Sequence, residues 1–421
     1  MHNGWDLIRV SQLFFRVIYT INEAVRRLAD SRLVLGGKIL TMEYTYPDYY
    51  KKFCCIGGEC KDNCCAAGWQ ITIDEESLER YEKMEGEIGV RLRNSIDWEN
   101  GMFEQFEHKC ALLNERGLCD VYCDAGEDKM CVLCQRYPRH FEEYENVREI
   151  SLSVSCPEAA RIVLENRGKV GFYTETDDEE EEYEDFDYLM FTKLLDIREV
   201  LYDVLHEKKG TISFRLVRLL DIVHGIQGLI DNDQIFEIDE KEHQAATEKK
   251  TYSGYLGKAG LRQQYMNDML EELHRLEVLR SSWTESVRET QKLLYKDMTA
   301  NEYEILCEEF DSYYSDRMEE YEQLMSYFIF TYFAGAVYDY EVESKLRFGL
   351  AAVLIIHELD MALWYKNGKK LTFDEQVWLV HNYSMEIEHS DLNLDDMERM
   401  VMREKAFGYR RMLTVLMNWK R

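Results

Sequence analysis

From residue 189 onward, apolar side chains recur at intervals of three and four positions. Residues at these intervals share one face of an α-helix, so the pattern predicts a succession of amphipathic helices. Proline breaks helix interiors, and all three prolines, Pro47, Pro138 and Pro157, precede this region. The predicted helices span residues 189–205, 212–230, 261–279, 303–313, 325–337, 346–364, 373–387 and 397–417.

Strand patterns are short and occur only in the first part of the chain. The alternation Gln70-Ile71-Thr72-Ile73 is typical of a strand. We therefore predict short strands at 69–74 and 149–154. The complete pattern predicts a mainly α fold, in which a small cysteine-rich metal-binding module with short strands packs on a larger all-helical domain.

Two polar stretches interrupt the helical pattern. Residues 177–187 include nine acidic residues in eleven, which favours an exposed loop, and residues 239–250 are interpreted as a second exposed connection. Near the N-terminus, the periodicity from Ile8 to Leu28 predicts a helix, unless Met42 is the native start. The predicted divisions are a helical extension at 1–41, a cysteine-rich module at 42–165, an acidic linker at 166–188 and a helical domain at 189–421.

The charge balance excludes some classes of partner. The chain has 81 acidic and 51 basic residues and a formal net charge of −30, whereas a phosphate backbone requires a basic surface. We therefore expect no nucleic-acid partner. No run of about 18 apolar residues occurs, so no membrane span is expected either. The first residues lack the pattern of a signal peptide, and we expect a cytoplasmic protein.

Eleven of the twelve cysteines lie between Cys54 and Cys156. Thiols stay reduced in the cytoplasm, so such a concentration indicates metal binding rather than disulfides. Gly57-Gly58, inside the first group of cysteines, allows the backbone to turn tightly between ligands. The spacing fits zinc and an iron–sulfur cluster equally well, because both accept four thiolates. His108 and His140 are close enough in sequence to be considered as zinc ligands.

Several short motifs accompany the cysteines. They read Phe53-Cys54-Cys55, Gly68-Trp69-Gln70-Ile71-Thr72-Ile73-Asp74, Cys110-Ala111-Leu112-Leu113, Gly117-Leu118-Cys119, Cys134-Gln135-Arg136-Tyr137-Pro138-Arg139 and Ser153-Val154-Ser155-Cys156-Pro157. In this order, over about residues 45–165, they resemble the flagellin lysine-N-methylase family, which is related to a wider group of cysteine-rich putative zinc- or iron-chelating domains. Ile387-Glu388-His389-Ser390 is also similar to that family.

The resemblance implies methylation of lysine side chains on flagellin, with S-adenosylmethionine as methyl donor. It also implies an iron–sulfur cluster of the 4Fe-4S type, with zinc as the alternative. Four ligands are expected among the cysteines that match the family's positions, whereas Cys54, Cys123 and Cys131 are extras in this sequence. The matching positions are Cys55, Cys60, Cys64, Cys65, Cys110, Cys119, Cys134 and Cys156.

Methyl transfer to lysine requires the amine to lose a proton, because an ammonium group has no lone pair. The free side chain has a pKa of about 10.4, so the site must supply a base or desolvate the amine. Glu388 and His389 are candidates, but the sequence does not single out a base. The donor site is also unassigned, because Gly257-Lys258-Ala259-Gly260 follows a polar loop rather than a strand. A Cys-x3-Cys-x2-Cys run, typical of radical chemistry, does not occur. The alternative function is a metal-dependent binding or sensing protein without methyltransferase activity.

Overall fold

This computed structural model describes residues 40–181 and 186–419. The helix predicted between Ile8 and Leu28 lies outside the described residues. Within them the fold is mainly α with short strands, as predicted. In the described chain no helix is both long and apolar enough to cross a lipid bilayer.

A four-stranded sheet holds the first described residues. Its strands are β1 (Leu40–Pro47), β6 (Arg139–Tyr144), β7 (Val147–Leu152) and β8 (Phe172–Glu181). The strand order is β6-β7-β1-β8, with β1 parallel to β7 and antiparallel to β8. Strand β7 confirms the strand predicted at 149–154. Helix α5 (Pro157–Glu165) lies between β7 and β8 in the chain.

Strand β8 corrects the expectation of an exposed loop at 177–187, because Asp177–Glu181 belong to the strand. The acidic run is tolerated there because β8 is an edge strand, where charged residues discourage pairing with another chain. Its backbone pairs with β1, with Glu180 opposite Thr41. Residues 182–185 lie outside the described part of the chain.

The cysteine-rich module has short elements around its own small apolar core. They are α1 (Glu75–Lys83), α2 (Gly86–Asn94), β2 (Ile96–Asp97), β3 (Met102–Phe103), β4 (Gln105–Phe106), β5 (Lys109–Cys110), α3 (Asp120–Ala125) and α4 (Val132–Arg136). Ile73, Tyr81, Leu92 and Phe103 are among the buried core residues. At 69–74, the predicted strand is reduced to a single bridge from Thr72 to Met102.

One side chain links two parts of this module. Asp74 caps the start of α1 by accepting a hydrogen bond from the backbone of Ser77. Its other carboxylate oxygen accepts a hydrogen bond from the backbone of Val132, at the start of α4, at 2.9 Å. The module therefore has internal cross-links that do not depend on its cysteines.

The helical body follows. Its helices are α6 (Tyr188–Leu205), α7 (Ile212–Ile230), α8 (Glu240–Lys249), α9 (Ala259–Glu272), α10 (Ser281–Gln291), α11 (Ala300–Tyr314), α12 (Glu319–Tyr332), α13 (Ala336–Asp339), α14 (Val342–Lys366), α15 (Phe373–Ile387), α16 (Asp391–Arg403) and α17 (Tyr409–Met417). The predicted bounds of α7 and α15 agree with the structure. Helix α14 is buried along most of its length, and Gly349 lets it approach α12 closely. A Cβ atom at Gly349 would lie 2.8 Å from the Cβ of Phe328.

Two expectations about this body are wrong. The polar stretch at 239–250 is mostly exposed, as expected, but it is helix α8 rather than an irregular connection. Asp239 caps this helix, and Thr247 is buried against Arg218 of α7. The segment 397–417 is two helices instead of one, because the chain turns at Lys405–Phe407 before Gly408. Helix α10 was not predicted, since only Trp283 and Val287 supply its larger apolar contacts.

Candidate functional site

The cysteines converge although they come from distant parts of the sequence. Cys64 and Cys65 share a thiol hydrogen bond, as do Cys131 and Cys134. Electrostatic interactions between thiols connect two adjoining groups through the Cys64-Cys65 pair. One group holds Cys65, Cys110, Cys119, Cys131 and Cys134, and the other holds Cys55, Cys60, Cys64 and Cys156.

The structure thus brings together all the positions that match the family, and adds Cys131. Cys54 and Cys123 are exposed. His108 is exposed in the turn between β4 and β5. His140 lies beside Glu142, with Nε2 2.6 Å from a carboxylate oxygen. In the described ranges, no three Cys, His, Asp or Glu side chains form a group that is arranged to hold a metal ion.

The pKa values of these thiols reflect their crowding. Burial raises the pKa of Cys110 to about 11 and that of Cys156 to about 12. A hydrogen bond from Cys65 lowers the pKa of Cys64 to about 7, and that bond raises the pKa of Cys65. The donor set consists of sulfur atoms, which fits zinc and iron–sulfur chemistry.

Asp62 links the first cysteine loop to the helical body. Its carboxylate accepts hydrogen bonds from Arg280, at the start of α10, and from Nε2 of His381 in α15 at 2.7 Å. The other ring nitrogen of His381 lies 2.7 Å from the carbonyl oxygen of Ser155. Burial opposes ionisation, but the two hydrogen bonds lower the pKa of Asp62 to about 2. The loop is therefore held on the helices by a charged cluster.

Three aromatic rings meet at the same interface. The ring centroid of His389 lies 3.7 Å from the ring centroid of Trp69, and that of Tyr137 lies 5.0 Å from the ring centroid of Trp69. Burial, together with the charges of Arg280 and His381, lowers the pKa of His389 to about 4. The imidazole is therefore neutral at physiological pH. Trp69 and Tyr137 come from the module, whereas His389 lies in the turn between α15 and α16.

Glu388 occupies that turn beside His389. The hydroxyl groups of Tyr327 and Tyr332, in α12, each donate a hydrogen bond to its Oε2 atom at 2.7 Å. Its Oε1 atom is buried and has no hydrogen-bond partner in the described chain. A buried polar atom without a partner costs about 1–3 kcal/mol, more when the group is charged, so this arrangement needs an explanation.

Of these residues, Glu388 and His389 were candidates from the sequence, and the structure places both where the helical body meets the module. Asp62, His381 and Arg280 were not predicted. Trp69 and Tyr137 occur inside the motifs that carry the family resemblance, which is the signal that could have identified them. Helix α9 begins at Ala259 after a short helical turn at Ser253–Tyr255. Gly257 is therefore not in a strand-to-helix loop.

The structure therefore shows a helical body that packs on a cysteine-rich module, with a carboxylate and aromatic rings where the two meet. Comparison with protein families identifies the class of protein that has this arrangement. Residues 198–415, more than half of the chain, match the family described as the FliB lysine N-methylase C-terminal domain. The chain belongs to the FliB lysine N-methylase family, as the motifs of the module predict.

Individual relatives match over a shorter region. The chain is 29% identical over 129 residues to a lysine-N-methylase of Salmonella typhimurium (strain LT2) and to one of Salmonella choleraesuis (strain SC-B67). Each match covers 28% of this chain and 32% of the relative, about a third of its length. A flagellar biosynthetic protein FliU of Salmonella muenchen is also 29% identical over 129 residues, which cover 28% of this chain and 76% of that protein. No solved structure matches the chain.

Proposed function

We propose that this protein transfers methyl groups from S-adenosylmethionine to lysine side chains of flagellin. The observation that carries the proposal is the position of His389 against Trp69 and Tyr137, with the carboxylate of Glu388 next to it in the same turn, where Tyr327 and Tyr332 bind it. The family membership and the names of the relatives support the reaction and the substrate. We also propose a cytoplasmic location, because so many free thiols require a reducing compartment.

We further propose that the cysteine-rich module holds a metal centre, a 4Fe-4S cluster or zinc. The convergence of nine thiols supports this. The candidate ligands are four of Cys55, Cys60, Cys64, Cys65, Cys110, Cys119, Cys134 and Cys156. When bound, such a centre would fix the segments that carry its ligands.

In this proposal the protein's own residues orient the substrate. The rings of Trp69, Tyr137 and His389 offer flat apolar surfaces for the methylene chain of a lysine. His389 remains neutral at physiological pH, so it does not repel an approaching ammonium group. Asp62, through Arg280 and His381, keeps the cysteine loop against the helices and so preserves the interface.

The proposed reaction is tested with anaerobically purified full-length protein. Incubation with flagellin and S-adenosylmethionine is expected to add methyl groups to lysines, detected by mass spectrometry of flagellin peptides. Omission of the donor is the control. A protein that contains iron or zinc, but leaves flagellin unmodified, would instead favour a metal-dependent binding or sensing role.

The metal centre is tested by the matched variants Cys64→Ser and Cys54→Ser. Cys64 lies at the junction of the two thiol groups, whereas Cys54 is exposed and does not match the family's positions. We expect Cys64→Ser to lose most of the bound iron or zinc and Cys54→Ser to keep it, measured by elemental analysis and, for iron, by labile sulfide. An unchanged metal-to-protein ratio in Cys64→Ser would remove Cys64 from the ligand set.

A further inference from the structure

The carboxylate of Glu388 has an uneven environment. Both phenolic donors, from Tyr327 and Tyr332, bind the same oxygen, Oε2, and leave Oε1 buried and unpaired within the described residues. Tyr327 is 1% exposed and Tyr332 is 8% exposed, so the two donors are held in the core of the helical body. Oε2 is therefore fixed, whereas Oε1 makes no hydrogen bond within the described chain. The buried and likewise unpaired hydroxyl of Ser384 is the protein donor beside this carboxylate.

Partly exposed side chains lie on the far side of Tyr332 from the helical core. The ring of His140, in β6, lies 6.2 Å from the ring of Tyr332. The side chains of His140 and Glu142 are 34% and 30% exposed. On the other side, the neighbouring residue His389 contacts Trp69. These partly exposed residues mark the side from which we expect a long, flexible side chain to approach.

The chemistry of the free oxygen favours an ammonium group over a guanidinium group. A guanidinium binds carboxylates best through two parallel hydrogen bonds, which need both oxygens. Since Oε2 is already engaged by two phenols, only a single-oxygen contact is left. A lysine ammonium is a compact cation that can make such a contact and can lose a proton through it.

We propose that Oε1 of Glu388 receives the ε-ammonium group of the substrate lysine and accepts its proton before methyl transfer. This inference rests on the proposed methyltransferase function and assigns a substrate subsite to it. It makes Glu388 the general base, with Tyr327 and Tyr332 as positioning residues that hold the carboxylate through Oε2.

The step balances as follows. An N–H bond of the ammonium breaks, its proton binds Oε1, and the electron pair stays on nitrogen as a lone pair. The lone pair forms a bond to the methyl carbon of the sulfonium donor, and the C–S bond breaks with its electrons going to sulfur. The products are a neutral thioether and a positively charged methylammonium. Glu388 then releases its proton to solvent.

The electrostatics of the site agree with this role. Burial raises the pKa of Glu388, although the hydroxyl groups of Tyr332, Tyr327 and Ser384 and the charge of His140 oppose the rise. A more basic carboxylate is a better acceptor for the lysine proton. The groups that face Glu388 are Tyr327 and Tyr332 of α12, Tyr383 and Ser384 of α15, and His140 of β6.

The test is the full-length Glu388→Gln variant, assayed by mass spectrometry of flagellin with S-adenosylmethionine. We expect kcat/KM to fall by about 100-fold or more, which is typical for loss of a general base. The wild type should lose activity as the pH falls through the raised pKa of Glu388, because the carboxylate must be ionised to accept a proton. Residual activity of Glu388→Gln should lack this acidic limb.

Stability separates a functional role from a structural one. Replacing an unpaired buried carboxylate by a neutral amide should leave the unfolding midpoint unchanged or raise it. As a second variant, Tyr332→Phe should lower kcat/KM about tenfold, since it removes one donor that holds the carboxylate. The matched control is Tyr202→Phe, because the hydroxyl of Tyr202 is also buried but has no hydrogen-bond partner in the described chain. Tyr202→Phe should keep wild-type activity.

Three outcomes would overturn the assignment. If Glu388→Gln methylates flagellin within threefold of the wild type and keeps the acidic limb, Glu388 is not the base, while the proposed function stands. If the wild type does not methylate flagellin at all, the proposed function fails and the subsite falls with it. Should Glu388→Gln fail to fold, Tyr332→Phe with wild-type kcat/KM would also overturn the proposal.

Discussion

Replacing Glu358 by alanine is expected to lower the free energy of unfolding by about 3–5 kcal/mol, because it leaves a buried arginine without its counter-charge. Arg262 of α9 is 1% exposed and donates to Glu358 of α14, which is fully buried, at 2.8 Å. The hydroxyls of Tyr295 and Tyr303 also donate to this carboxylate. The measurement is urea-induced unfolding followed by circular dichroism at 222 nm.

The double variant Arg262→Met with Glu358→Leu separates the charge from the packing. It removes both ions together and replaces them by apolar side chains, so its loss should be much smaller than that of Glu358→Ala. A surface control is Glu289→Gln, whose partner Lys366 is about half exposed. That variant should change the unfolding free energy by less than about 0.5 kcal/mol. A loss below about 1 kcal/mol for Glu358→Ala would contradict the prediction.

Replacing Asp360 by asparagine is expected to stabilise the protein near neutral pH and to reduce the pH dependence of its stability. Burial raises the pKa of Asp360 to about 8, despite a hydrogen bond from Tyr321 at 2.6 Å. Between the unfolded pKa near 4 and the folded value, the native state holds a proton that the unfolded chain has released. Stability from this group is therefore present below about pH 4 and is lost as the pH rises toward 8.

The expected gain for Asp360→Asn at pH 7 is on the order of 4 kcal/mol, since pH 7 lies about three units above the unfolded pKa and each unit corresponds to about 1.4 kcal/mol. Asparagine has nearly the shape of aspartate and can still accept the hydrogen bond from Tyr321. Thermal unfolding of both proteins at several pH values measures the effect. The exposed Asp316 supplies the control, because Asp316→Asn should follow the wild-type curve. Parallel curves for Asp360→Asn and the wild type would refute the assignment.

Glu358 and Asp360 both belong to α14, the buried helix that packs against the helices of the candidate site. The two predictions therefore also concern how firmly that site is held in place. Helix α14 contacts α12, which carries Tyr327 and Tyr332, and α15, which ends just before Glu388. A loss of order in α14 would move the two donors relative to the carboxylate. We therefore expect Glu358→Ala to impair methyl transfer at temperatures where it begins to unfold.

The amino-acid sequence by itself determined the features that depend on near neighbours. The spacing of apolar residues correctly located helices such as α7 and α15. Residues three and four positions apart lie on the same face of a helix, so this signal depends only on the local sequence. Thr372 and Glu375 cap α15 at the predicted boundary for the same reason. The spacing of the cysteines and their flanking motifs likewise indicated the module and the family.

Only the tertiary structure decided the contacts between distant segments. Strand β8 forms because its backbone pairs with β1, although its acidic composition is typical of an exposed loop. Asp62 meets His381 across a separation of 319 residues, and no periodicity encodes such a pairing. The environment of Glu388 depends in the same way on tyrosines from another helix. The pKa and hydrogen bonds of a side chain depend on its neighbours in space, and long-range packing determines which residues those neighbours are.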